Sequence, residues 1–192
     1  MVDRAGNGGG GRGSNRPPNQ DRRGRPSAPR GRGPSGGGGG DAVTPKRKTG
    51  GLNLRRIAGN DFELLHPHCV EELFPDYEEG VEIWKAGEPE EARDALRFAL
   101  QGCGDNLWVH VALGRIALEA NNDPALARGH FGYAFELAIK AIPADFPGRL
   151  PKNRHANQPF YDAIDGLITC HTALGNMAEA DDLRAMARKF GG

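Results

Sequence analysis

The chain has 192 residues, of which 25 are Lys or Arg and 25 are Asp or Glu, so its formal net charge is zero. This length predicts one domain with room for a tail, and no apolar run approaches the roughly 18 residues of a membrane-spanning helix. Three cysteines, an odd number without a C-x-x-C spacing, argue against a disulfide framework and favour a reducing cytosol. The first residues, MVDRAGNGGG, lack the apolar run of a signal peptide, so we expect a cytoplasmic protein.

The charge is divided unevenly along the chain. Residues 1–50 carry eleven Lys or Arg against three Asp, a net charge of +8, so the other 142 residues carry −8. This first segment is rich in Gly, Arg, Pro, Ser and Asn and holds too little apolar surface to offset the entropy of ordering. We therefore predict a disordered basic tail and linker over 1–60 and a folded domain over 61–192. Within the linker, Leu52, Leu54 and Ile57 could dock on that domain.

The basic tail contains an Arg/Gly-rich sequence, RGRPSAPRGRG. It resembles Arg/Gly-rich segments that bind single strands through phosphate charge and arginine stacking. No aromatic residue occurs in the first 50 residues, so a plain solubilising tail is the competing interpretation. Likewise, PKRK at 45–48 resembles a nuclear localisation signal or is a plain basic linker. Weak RNA contact would involve Arg22, Arg23, Arg25, Arg30 and Arg32.

Helix signals begin near residue 67. An i, i+3, i+4 apolar spacing after Pro67 predicts a short capping helix over 67–74. Proline, acidic first turns and Gly- or Asn-rich breaks then mark longer helices. These signals predict four helices, over about 75–87, 89–101, 107–120 and 124–141.

The helical pattern is interrupted after residue 141. Four prolines between 142 and 159 exclude a helix there and predict a loop over 142–158, with three basic residues against one acidic residue. A loop of that length is longer than a helical stack normally uses, and such loops are often functional or mobile. A third helix pair, with its turn at Gly175, is predicted over 159–190.

The chain repeats itself with a period near 35 residues. Gly80 aligns with Gly114 at a shift of 34. At a shift of 35, Ala92, Leu96 and Ala99 align with Ala127, Phe131 and Ala134. A period of this length is typical of stacked helix pairs, in which small residues let neighbouring helices approach and a large one fills the gap.

At these residues the chain resembles the tetratricopeptide repeat (TPR) family, and a generic array of helical hairpins is the alternative. The third unit, with Gly175, Ala180 and Ala187, matches the family pattern only in part. The resemblance implies an all-α fold, a TPR-like right-handed stack of about three antiparallel helix pairs behind an N-terminal capping helix. Its repeats would span about 75–104, 105–141 and 159–190.

In that family the first helices of the pairs line a groove that binds peptides or proteins. The resemblance therefore implies a partner-binding groove made of apolar and aromatic side chains and one arginine: Tyr77, Val81, Trp84, Trp108, Val111, Arg115 and Leu118. Trp and Arg are favoured at binding hot spots, although both tryptophans could instead be core residues.

The remaining clusters of His and Cys residues do not predict a metal site or a catalytic site. His66, His68 and Cys69 form an H-P-H-C sequence, followed far along the chain by Cys170 and His171, and zinc uses such ligands. Adjacent Cys and His point in different directions on a helix, so buried thiols and ordinary surface histidines are the favoured interpretation. No P-loop, H-E-x-x-H or G-x-S-x-G occurs. We expect a non-enzymatic protein-binding module without metal or cofactor, with an RNA-associated protein as the alternative.

Overall fold

A computed structural model describes residues 51–191, and this part of the chain is mostly helical. It begins with two strands, β1 (Asn53–Ala58) and β2 (Asp61–Leu65), which form an antiparallel hairpin. The helices that follow are α1 (His68–Glu72), α2 (Phe74–Lys85), α3 (Pro89–Gly102), α4 (Leu107–Glu119), α5 (Pro124–Ala141), α6 (Gln158–Ala173) and α7 (Met177–Gly191). The predicted helices are confirmed to within a few residues, and the hairpin is an addition to the expected helical class.

Local chemistry explains where the central helices begin. Pro89 and Pro124 occupy the first positions of α3 and α5, where the missing N–H is not needed and φ suits the helix. The side chain of Asn106 accepts hydrogen bonds from the backbone N–H groups of Trp108 and Val109, at 3.1 and 3.3 Å. This cap sets the start of α4 and places Trp108 in its first turn.

Contacts between a glycine on one helix and a large apolar side chain on the next hold consecutive helices together. A Cβ on Gly80 would lie 2.7 Å from Leu96 Cγ, and a Cβ on Gly114 would lie 2.8 Å from the Phe131 ring. The two pairs are equivalent by the sequence period, and both large side chains are fully buried. Gly166 of α6 also faces Phe131, with its ring atoms 2.6 Å from a built Cβ. The ring is therefore clamped between α4 and α6.

The hairpin lies partly in the segment that the sequence assigned to the linker. Leu52 and Leu54 pack against the main core, as expected of docking residues, while Leu64 is 2% exposed. The described fold therefore begins before Asp61. The chain turns at Gly59, which has a φ of +52° that suits glycine.

The predicted loop between α5 and α6 packs on this hairpin. Backbone hydrogen bonds of 2.8 Å run from Phe62 N to Arg149 O and from Arg149 N to Asn60 O. Asn157 is fully buried: its Oδ1 accepts from Leu64 N at 2.9 Å, and its Nδ2 donates to Phe62 O at 3.1 Å. A single side chain thus satisfies backbone groups of β2 from the end of the loop.

The prediction about the cysteines is wrong for two of them. Cys69 and Cys103 form a disulfide, with their Cα atoms 5.5 Å apart, and only Cys170 has a free, buried thiol. The bonded cysteines are 34 positions apart, and the segment between them contains an antiparallel helix pair, which returns the chain to α1. The odd number of cysteines and their wide spacing in the sequence do not reveal that the chain returns in this way. The bond removes the reason for expecting a reducing compartment. Among the described residues, no helix is long and apolar enough to cross a membrane.

Candidate functional site

The structure brings most of the predicted groove residues around one cleft of about 240 Å³. Six of the seven line it: Tyr77, Val81, Trp84, Trp108, Val111 and Arg115. The first three follow one face of α2 and the others follow one face of α4, at helical spacing. The N-terminal half of α6 supplies a third wall with Gln158 and Asp162. We call this space the helix cleft.

Leu118 is the predicted groove residue that the structure places elsewhere. It lies three residues beyond Arg115, near the C-terminal end of α4, where it is half-buried and packs against the main core. The family register included it because it continues the helical spacing. It is not among the residues that line the cleft.

An ion pair joins two walls of the helix cleft. Arg115 of α4 lies 3.0 Å from a carboxylate oxygen of Asp162 on α6, and both side chains are partly exposed, at 44% and 34%. Desolvation raises the pKa of Asp162, although Arg115 acts in the opposite direction. Burial also raises the pKa of the nearby Tyr77. Because exposure screens the pair, its net contribution to stability is small, about 1 kcal/mol or less.

A second cleft, of about 420 Å³, lies between the hairpin, α1 and the end of the loop. We call it the hairpin cleft. Its apolar lining is Leu64, Leu65, Val70, Phe74 and Trp108. Its polar lining is Arg55, Glu63, His66, Glu71 and His155. The sequence reasoning missed this cleft because it did not predict the hairpin, whose available signal was Gly59-Asn60 between two short runs with alternating leucines.

Trp108 lines both clefts, and we call the two clefts together the Trp108 groove. The His155 ring stacks on Trp108 with the ring centroids 4.6 Å apart, and the rings of His66 and Tyr77 each lie 6.4 Å away. Behind the groove, Trp108 packs against the cluster that contains the Cys69–Cys103 disulfide. The tryptophan is therefore held from several sides while part of it faces the groove.

His66 is held as a neutral ring at the edge of the hairpin cleft. Its Nε2 lies 2.8 Å from the carbonyl oxygen of Ala156, which can only accept, so Nε2 carries the proton. The other nitrogen, Nδ1, is buried without a hydrogen-bond partner. Burial lowers the pKa of His66, because a protonated ring would need a second acceptor.

The residues weighed as metal ligands lie in separate environments. Cys69 is in the disulfide, exposed His68 lies 3.2 Å from Glu72, and Cys170 is buried in the main core. Within residues 51–191, no group of three or more His, Cys, Asp or Glu side chains is arranged to hold a metal ion.

The arginines considered for RNA contact, at positions 22 to 32, lie outside the described residues. Comparison of the chain with protein-family models, curated proteins and solved structures returned no match.

Proposed function

We propose that this chain is a non-enzymatic interaction module that binds a peptide or protein partner in the Trp108 groove. The observation that carries the proposal is the convergence of Tyr77, Trp84, Trp108 and Arg115 on one cleft. Large aromatic side chains and arginine dominate binding energy where they line partly enclosed surfaces, because they bury much area with few rotatable bonds.

We further propose that the helices form a TPR-like right-handed stack of three pairs, α2/α3, α4/α5 and α6/α7. Support comes from which helices contact each other. Each helix packs on the next one along the chain, and α4 also contacts both α2 and α6. The equivalent contacts Gly80–Leu96 and Gly114–Phe131 support a repeated unit. In such a stack the first helices α2, α4 and α6 share one face, which is where the helix cleft lies.

The groove residues should behave as binding hot spots. We would select partners for the full chain from a displayed library of random 12-residue peptides, and measure affinity by calorimetry. Replacing a hot-spot aromatic costs about 2 kcal/mol or more, so Trp84→Ala should weaken binding about 30-fold or more. The double variant Trp108→Ala with Arg115→Ala should abolish it.

Matched controls separate groove binding from general effects. Phe98→Ala removes an aromatic ring from α3 that is 61% exposed and lies outside both clefts. Arg184→Ala breaks a comparable exposed arginine–aspartate pair on α7. Both controls should leave affinity unchanged, and circular dichroism should show that every variant is folded. Equal affinity for the groove variants and the controls would refute the groove as the binding site.

A second candidate function is RNA association through residues 1–50, supported by their net charge of +8. Counterion release makes such binding strongly dependent on salt. Affinity for single-stranded RNA should fall steeply with added salt and disappear when residues 1–50 are deleted. RNA binding that survives the deletion would remove this candidate.

A further inference from the structure

The net charge of the described domain comes from one short segment. Residues 71–91 contain nine acidic residues and one lysine, whereas residues 92–191 contain eleven of each sign. This segment covers the end of α1, all of α2 and the start of α3. The wall that α2 contributes to the Trp108 groove is therefore also the acidic part of the fold.

The acids of α2 flank its groove-facing residues. Tyr77 and Val81 line the helix cleft, and exposed Glu78 follows Tyr77 by one residue, about 100° around the helix. In the hairpin cleft, exposed Glu71 lies on the lining itself. Asp162, on the opposite wall of the helix cleft, is paired with Arg115 and adds no net charge there. Glu71 and Glu78 thus place carboxylates at the hairpin cleft and beside the helix cleft.

The basic residues of the groove are each matched by an acid. Arg115 lies 3.0 Å from Asp162, and Arg55 Nε lies 2.9 Å from Glu63. Lys85, at the end of α2, lies 2.9 Å from Glu82. An acidic segment entering the groove would meet Glu71 and Glu78 and would have to compete for cations that are already paired. Complementary charge selects partners chiefly by excluding the wrong sign.

We propose that the partner is a peptide segment in which Lys or Arg residues flank a large apolar side chain. The apolar side chain enters the hairpin cleft against Trp108, and the basic residues face the carboxylates of Glu71 and Glu78. The assignment rests on the proposed function, because it names the partner class for the same groove. A nucleic acid, which carries the same sign of charge as this rim, does not fit it.

The test uses the same random 12-residue library, selected on the full chain and counter-selected on the Trp108→Ala variant, because Trp108 lines both clefts. Counter-selection removes peptides that are held elsewhere on the chain. The retained peptides should be enriched in Lys and Arg beside Leu, Phe or Trp. Enrichment of acidic peptides, or no charge preference, would overturn the assignment while leaving groove binding intact.

The second part of the test reverses the charge of the acidic residues beside the groove, which we call the rim. Glu78→Lys and Glu71→Lys should each weaken the selected peptide about fivefold or more, with larger losses at low salt. Glu136→Lys is the control, since it makes the same charge change at an exposed residue of α5 outside the groove. Equal losses in rim and control variants would show a general field effect and overturn the assignment. Failure to retain any peptide against Trp108→Ala would instead refute the proposed function.

Discussion

Replacing Gly114 by alanine tests how α4, α5 and α6 pack. The new methyl group would lie 2.8 Å from two carbon atoms of the Phe131 ring, which is closer than carbon atoms normally approach. The ring is 1% exposed, and Gly166 meets it from α6. It therefore has no free space into which it can move, and the substitution forces helices apart.

Two opposing effects set the size of the change. Alanine favours a helix over glycine by about 1 kcal/mol, whereas overpacking a core costs about 1–3 kcal/mol. Such a close contact with a clamped aromatic ring belongs at the upper end of that range. We expect Gly114→Ala to lower the free energy of unfolding by about 1–2 kcal/mol, and Tm by several degrees.

The assay is urea unfolding followed by circular dichroism, with Gly129→Ala as the matched control. Gly129 is also in a helix, but it is exposed and a Cβ there would meet nothing within 4 Å. The control should stabilise the protein by a few tenths to about 1 kcal/mol. If Gly114→Ala stabilised the protein as much as the control, the clamped position of Phe131 would be refuted.

Three further predictions follow from the described contacts. Replacing Cys69 and Cys103 by serine should lower stability by about 4 kcal/mol, because the bond closes a loop of 34 residues; thiol titration of the folded parent protein should detect no reactive pair. Asn157→Ala should lower the free energy of unfolding in urea by about 2–4 kcal/mol, since it leaves buried backbone groups of β2 unpaired. An unchanged unfolding midpoint would contradict this role of Asn157. Burial lowers the pKa of His66 and His110 from 6.5, so the unfolded chain binds more protons than the folded chain. The stability of the fold should be retained above pH 6.5 and should fall as the pH drops through the lowered pKa values. Unfolding midpoints that do not change with pH would contradict this.

Local signals explain why the helices could be predicted from the sequence. Pro89 and Pro124 mark helix starts by their own backbone chemistry, so α3 and α5 begin where expected. The predicted helix bounds need only residues that are close together in sequence. The grouping of Tyr77, Trp84 and Trp108 in one groove came from the resemblance to the TPR family.

The missed features depend on contacts between distant residues. A two-stranded hairpin is marginal by itself, and β1 and β2 are supported by Asn157 and Arg149, more than 80 residues further along the chain. The Cys69–Cys103 bond depends on how a helix pair returns to α1. The hairpin supplies Arg55, Glu63, Leu64 and Leu65 to the hairpin cleft, so this half of the Trp108 groove could not be predicted from local pattern.

The most direct test of the central claim uses the tryptophans themselves. The chain has two, and both line the helix cleft, so intrinsic fluorescence reports on the groove alone. Titration with a selected peptide that lacks tryptophan should shift or quench the emission, with saturation at the affinity measured by calorimetry. Binding detected by calorimetry with unchanged tryptophan emission would place the partner elsewhere and contradict the account.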